Sequence, residues 1–275
     1  MNVCEDMSNG QLIFVGLGLY DEKDISLKGL NELENCDKIF AEFYTSKLVG
    51  LDKNTFEKKL GKTLEVLSRE ETERGDKILE YASKEKVGFL TCGDPMIATT
   101  HVDLRLRATK RGIKTKIFHS GSIVTAAPGL LGLQNYKFGR TTTLAFLEKD
   151  YFPTSPYTTI KENKEIGLHT LVLLDIQVDK DIYMTANQGM ELLLKMEEKL
   201  GEKILSEDSV ICVVARAGSP DPIIVANSVK ALLNKDFGPP LHTLIVPGNL
   251  HFMEVEALEV FANLPKAISK KLQKL

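Results

Sequence analysis

The sequence has 275 residues, 43% hydrophobic and 27% charged, with 35 basic against 38 acidic side chains and a formal charge of −3. A chain of that length and balance buries a sizeable core, as one large or two modest domains, and its composition speaks against disorder over most of its length. Only Lys266, Lys270, Lys271 and Lys274 are locally basic, and they read as a solvated helix end, so nucleic acid is not an expected partner.

In chain order, residues 1–10 are polar and acidic, without an apolar stretch of signal-peptide length, and read as a flexible extension. No later run is apolar enough to span a bilayer. The cysteines at 4, 36, 92 and 212 are isolated, which suits a reducing compartment. The expected location is the cytoplasm, away from membranes.

From residue 11 onward, short β-branched runs alternate with amphipathic stretches, the pattern of an α/β protein. Strands are expected over residues 11–15, 38–43, 64–67, 87–92 and 115–119, and helices over 27–33 and 74–83, the latter preceded by an acid-rich turn at 70–73. This half reads as a parallel sheet with both faces covered. Residues 150–157 carry two prolines and make the best linker, which divides the chain into domains over 11–149 and 150–275. In the second, strands are expected over 169–176, 209–215, 222–226 and 241–246, and helices over 186–200, 228–233 and 253–262. No repeat of solenoid period is present.

Two glycine turns follow expected strands. Val15-Gly-Leu-Gly-Leu-Tyr20 lets the backbone turn sharply near a ligand, but Asp21 stands where a dinucleotide fingerprint needs its third glycine. A plain strand–turn–helix junction explains it equally well. Leu90-Thr-Cys-Gly-Asp-Pro-Met-Ile97 places Asp94 where it can accept hydrogen bonds from a ribose hydroxyl or an ammonium, although Gly-Asp-Pro is also an ordinary turn. Ala215-Arg-Ala-Gly-Ser-Pro220 and Val246-Pro-Gly248 are further turns, lining either a cleft wall or nothing in particular. The histidines at 101, 119, 169, 242 and 251 have no metal-ligand spacing, so no metal is expected. Neither a P-loop nor a nucleophile elbow occurs.

Residues 13–22, Ser26-Leu-Lys-Gly-Leu30 and Cys36-Asp-Lys-Ile-Phe-Ala-Glu42 resemble the opening of the tetrapyrrole methylase superfamily, which also carries a strand-end Gly-Asp-Pro. Ala41-Glu-Phe-Tyr-Thr-Ser46, Gly93-Asp-Pro-Met-Ile-Ala-Thr-Thr-His101, Phe152-Pro-Thr-Ser155, Gly167-Leu-His-Thr-Leu171 and Met184-Thr-Ala-Asn187 are similar to its diphthine synthase family. The resemblance runs from the first strand to the last helix. It implies a two-domain α/β fold with the cofactor cleft between the domains, S-adenosylmethionine as cofactor, and methylation of the aminocarboxypropyl-histidine of translation elongation factor 2 by a homodimer. Leu19, Asp94, Ile97, Ser122, Ile123, Leu174, Ala217 and His242 occupy the family's cofactor-binding positions, and no catalytic residue is nominated. The stretch Thr125-Ala-Ala-Pro-Gly129 runs one residue longer than the family pattern, which leaves the helix start there open. The alternatives are a cobalamin-pathway tetrapyrrole methyltransferase and a non-catalytic adaptor of the same fold.

Overall fold

A computed structural model describes residues 10–147 and 152–272. The extension expected over residues 1–10 therefore lies outside the described residues, Gly10 excepted, as do residues 150 and 151 of the expected linker. The chain forms two compact units, Met1–Ser122 and Ile123–Leu275.

The first unit is built on five strands: β1 (Gln11–Gly16), β2 (Lys38–Glu42), β3 (Glu65–Leu67), β4 (Lys86–Thr91) and β5 (Lys114–Phe118). All pair in parallel, in the order β3-β2-β4-β1-β5, with Phe14 opposite Phe89. Its helices are α1 (Leu27–Glu34), α2 (Lys53–Leu60), α3 (Arg69–Arg74), α4 (Asp76–Ala82) and α5 (Thr99–Lys110). Ile13, Val15 and Ile39 pack with Leu30 and Leu33 of α1 and Phe56 of α2, whereas Leu12, Phe14 and Phe89 pack with Ile78 and Leu79 of α4 and Leu104 of α5. Covered on both faces, β1 is apolar throughout its buried run. Each such side chain is worth about 1.5–3 kcal/mol on burial. The acid-rich stretch expected as a turn is itself helical: the Ser68 hydroxyl accepts from the Glu71 amide at 3.2 Å, and the Glu71 carboxylate accepts from the Ser68 amide at 2.9 Å. Gly75, at φ 64°, then separates α3 from α4.

The second unit carries β6 (Thr142–Leu144), β7 (Thr170–Leu174), a small hairpin of β8 (Ile176–Gln177) and β9 (Ile182–Tyr183), then β10 (Val210–Ala215), β11 (Ile223–Ser228) and β12 (His242–Val246). The main sheet runs β11-β10-β12-β7-β6, antiparallel except for the β6–β7 pair. Its helices are α6 (Ile123–Leu131), α7 (Ser155–Glu165), α8 (Ala186–Leu200), α9 (Val229–Leu232), α10 (Phe252–Phe261) and α11 (Lys266–Leu272). Met190, Leu193 and Met196 of α8 cover one face with Val172 and Leu244, and α6 and α10 cover the other through Leu131, Val255 and Leu258. Pro128 lies inside α6, where it has no N–H to give to the helix.

The units divide at Ser122/Ile123 rather than at the 149/150 junction read from the sequence. Pairing and packing explain the difference. β6 hydrogen-bonds to β7, with Thr143 opposite Leu173, and Ala127 and Leu131 share a core with Leu171 and Leu258. The proline-bearing segment leads into α7 inside the second unit, with Pro156 in its first turn. No helix of the described residues is long and apolar enough to cross a membrane.

Candidate active site

β1 and β4 are neighbours, but the chain leaves them in opposite directions. From β1 it passes through α1, on the Ile13/Val15 face, to β2; from β4 it passes through α5, on the Leu12/Phe14 face, to β5. The crevice outside the carboxyl ends of two such strands is where open α/β sheets bind ligands. Three turns meet there, after β1, β4 and β5.

Close main-chain approach between these turns is what demands glycine. Gly18 and Gly93, at φ 82° and 67°, are both left-handed. A β-carbon on Gly16 would stand 2.4 Å from the Gly93 carbonyl oxygen and 2.9 Å from the Ser120 Cβ. Asp24 completes the first turn: its Oδ2 accepts from the Leu19 and Tyr20 amides at 3.0 and 2.8 Å, and its carbonyl accepts from the Ser120 hydroxyl at 2.8 Å. The β1 and β5 turns thus form one rim, and Leu19 and Ser122 stand on it.

Asp94 occupies the β4 turn. Its Oδ1 accepts from the Met96 amide at 3.0 Å, closing the Gly-Asp-Pro turn, and its Oδ2 lies 2.6 Å from His119 Nδ1. A carboxylate offers about four lone-pair sites, so two bonds leave it able to accept from a hydroxyl or an ammonium. The Asp94 side chain is 13% exposed and the His119 side chain 69%. Ile97, 55% exposed, presents apolar surface beside this turn.

The remaining expected residues belong to the second unit. His242 pairs with Ala215 at the end of β10, and Thr243 pairs with Leu173. Leu174, His242 and Ala217 therefore gather at one end of that sheet from distant parts of the chain. Ile123 opens α6 and packs on the core that includes Ala217. The His242 imidazole is already engaged: Nδ1 accepts from the Ala186 amide at the start of α8 at 3.1 Å, and Nε2 donates to the Pro239 carbonyl at 3.1 Å. Burial pushes its pKa down. Arg216, left-handed at φ 52°, donates to the Phe237 and Pro239 carbonyls at 2.7 and 2.8 Å and holds the same segment.

Motifs and spacing alone do not single out Asp24, His119 or the Glu42–His101 pair. For His119 the signal in the sequence is its place at the end of an expected strand, one of several strand ends carrying turns.

Residues 11–233 match the family described as Tetrapyrrole (Corrin/Porphyrin) Methylases. The chain belongs to this methylase family. It is 48% identical over 261 residues to a diphthine synthase of Methanothermobacter thermautotrophicus, covering 95% of this chain and 99% of that one. A diphthine synthase of Methanocaldococcus jannaschii is 51% identical over 90% of this chain and 97% of its own length. Among solved structures, a crystal structure of diphthine synthase superposes with a TM-score of 0.86 at 37% identity, covering 94% of this chain and 99% of that one. A putative diphthine synthase from Entamoeba histolytica gives 0.85 at 39% identity, with the same shares covered. Membership makes the chain a methyltransferase, and its relatives place it with the diphthine synthases.

Proposed function

We propose that this chain methylates the amino group of the aminocarboxypropyl-histidine on translation elongation factor 2, with S-adenosylmethionine as methyl donor. The observation that carries the reading is the near full-length likeness to diphthine synthases, at about half of all positions, together with a switch-point crevice bordered by glycine turns. The residues present fit such a group. Asp94 has acceptor capacity for a hydroxyl or ammonium, Leu19 and Ile97 offer apolar surface, and the glycine turns permit close backbone approach. We assign Leu19, Asp94, Ile97, Ser122, Ile123, Leu174, Ala217 and His242 to cofactor binding. His242 serves through its main chain, because both ring nitrogens are engaged.

S-adenosylmethionine supplies an electrophilic methyl group on a sulfonium. Held by the residues assigned above, the donor would give its methyl to the substrate nitrogen and keep the bonding electron pair as a neutral thioether, the proton of the alkylated amine passing to solvent. The leaving group needs no acid, so the protein's tasks are alignment and exclusion of water. The attacking amine must be neutral, a form favoured by removing it from water.

The chain acts in the cytoplasm as a homodimer, a reading that rests on the family resemblance; light scattering returning the 30.6 kDa monomer mass would overturn the dimer. The test of the reaction is mass spectrometry of elongation factor 2 after incubation with enzyme and cofactor, the factor being supplied with and without its aminocarboxypropyl group. Methyl additions confined to the modified factor are expected. Methylation of a tetrapyrrole control alone would overturn the assignment.

A further inference from the structure

At the carboxyl ends of β2 and β4 lies a buried polar cluster that the proposed chemistry does not use. His101, in the first turn of α5, is 1% exposed and Glu42, the last residue of β2, is 0% exposed. His101 Nδ1 lies 3.0 Å from the carbonyl oxygen of Pro95. A carbonyl only accepts, so Nδ1 carries a proton and donates it. Nε2 faces Glu42 Oε1 at 3.2 Å, an ion-pair distance rather than an aligned hydrogen bond. The ring also meets Phe89 of β4 edge-on, 5.5 Å between centroids.

Glu42 is held in turn. Its Oε2 accepts from the Tyr44 and Thr45 amides, both at 3.1 Å, and its Oε1 accepts from the Thr45 hydroxyl at 2.5 Å. The turn after β2 is also tied to the turn after β4, by the Cys92 thiol donating to the Ser46 carbonyl at 3.2 Å. The carbonyl that His101 grips belongs to the residue after Asp94, and the Asp94 carboxylate grips the amide of the residue after that. Asp94 is thus fixed from both sides of Pro95.

We infer that His101, backed by Glu42, is a positioning residue that sets the Gly93-Asp94-Pro95 turn for the cofactor. Two buried polar groups are a costly way to stabilise a fold, since well-packed apolar residues of similar volume often serve as well or better. A turn whose carboxylate must meet a ligand is different, because a displacement of about 1 Å can cost roughly a hundredfold in rate.

The inference rests on Asp94 binding the cofactor, and a pair of variants separates the two ideas. In His101→Asn the amide nitrogen takes the place of Nδ1 and still reaches the Pro95 carbonyl; in His101→Gln it takes the place of Nε2 and reaches Glu42 instead. Calorimetric titration with S-adenosylhomocysteine, beside melting temperature and the separate kcat and KM for the methyl donor, reads the outcome. His101→Gln should raise Kd and KM by about tenfold or more, and His101→Asn should stay within about threefold of the parent. Equal losses in the two variants, or losses that simply follow the fall in melting temperature, would overturn the positioning role. A parent protein that binds no S-adenosylhomocysteine would instead sink the cofactor assignment.

Discussion

The main chains of Gly18 and Gly93 bond to each other across the ends of β1 and β4, the Gly93 amide donating to the Gly18 carbonyl at 2.7 Å and the Gly18 amide returning the bond at 3.3 Å. The exchange joins the two turns that border the switch point. A β-carbon on Gly18 would stand 2.3 Å from the Cβ of Asp24, whose carboxylate organises the turn. Gly18→Ala should therefore cost about 1–3 kcal/mol in denaturant unfolding. It should also weaken cofactor binding. An unchanged unfolding midpoint would show that the turn relaxes freely.

On the proposed reading, Asp94 is the acceptor on which cofactor binding depends most. Bound S-adenosylmethionine at a hundredfold excess over its dissociation constant should add about 2.7 kcal/mol of stability. Asp94→Ala should remove most of that gain, because a donor on the ligand loses its partner and the His119 contact goes with it. Thermal melts with and without ligand measure the difference, and equal ligand-induced shifts in parent and variant would refute the role.

Glu254 anchors α10 from inside the second unit. Its carboxylate accepts from the Gln134 amide at 2.9 Å, His169 Nε2 at 3.0 Å and the His251 amide at 2.8 Å, and it pairs with Lys137. Burial opposes its charge, but these partners outweigh burial and bring its pKa down to about 2. The folded pKa lies below the unfolded one, so the stabilisation is complete above the ordinary carboxylate range and is lost as pH falls towards about 2. Glu254→Gln should cost about 1.5–3 kcal/mol at neutral pH. In unfolding experiments that deficit should shrink as the medium is acidified, and a deficit independent of pH would contradict the assignment.

His242 and His169 are both pushed down by burial, which outweighs the partners that favour the imidazolium. A folded histidine pKa below the unfolded value means that the unfolded chain binds more protons through this range. Stability is then full above about 6.5 and declines as pH falls through that value. The melting temperature should drop between neutral pH and pH of about 5. His242→Phe should flatten part of that slope while lowering stability by about 1–3 kcal/mol, because the Ala186 amide and the Pro239 carbonyl lose their partner. A variant with the parent's slope would locate the proton uptake elsewhere.

Features set by neighbours along the chain are legible in the sequence itself. β1 and β4 read as strands because a sheet covered on both faces needs uninterrupted apolar runs, and Leu12–Val15 supplies one. Gly18, Gly93 and Asp94 mark strand-end turns because left-handed backbone and Asx bonding are local properties. Even so, Pro153 and Pro156 mark the entry to α7 and not a boundary, since a turn preference says nothing about which sheet the flanking strands join. Only the tertiary structure decides the order β3-β2-β4-β1-β5, which puts the turns of β1, β4 and β5 side by side. It also decides that Asp94 meets His119 and Glu42 meets His101, partners 25 and 59 positions apart. Such contacts depend on long-range strand pairing, and no local preference in either partner encodes the other.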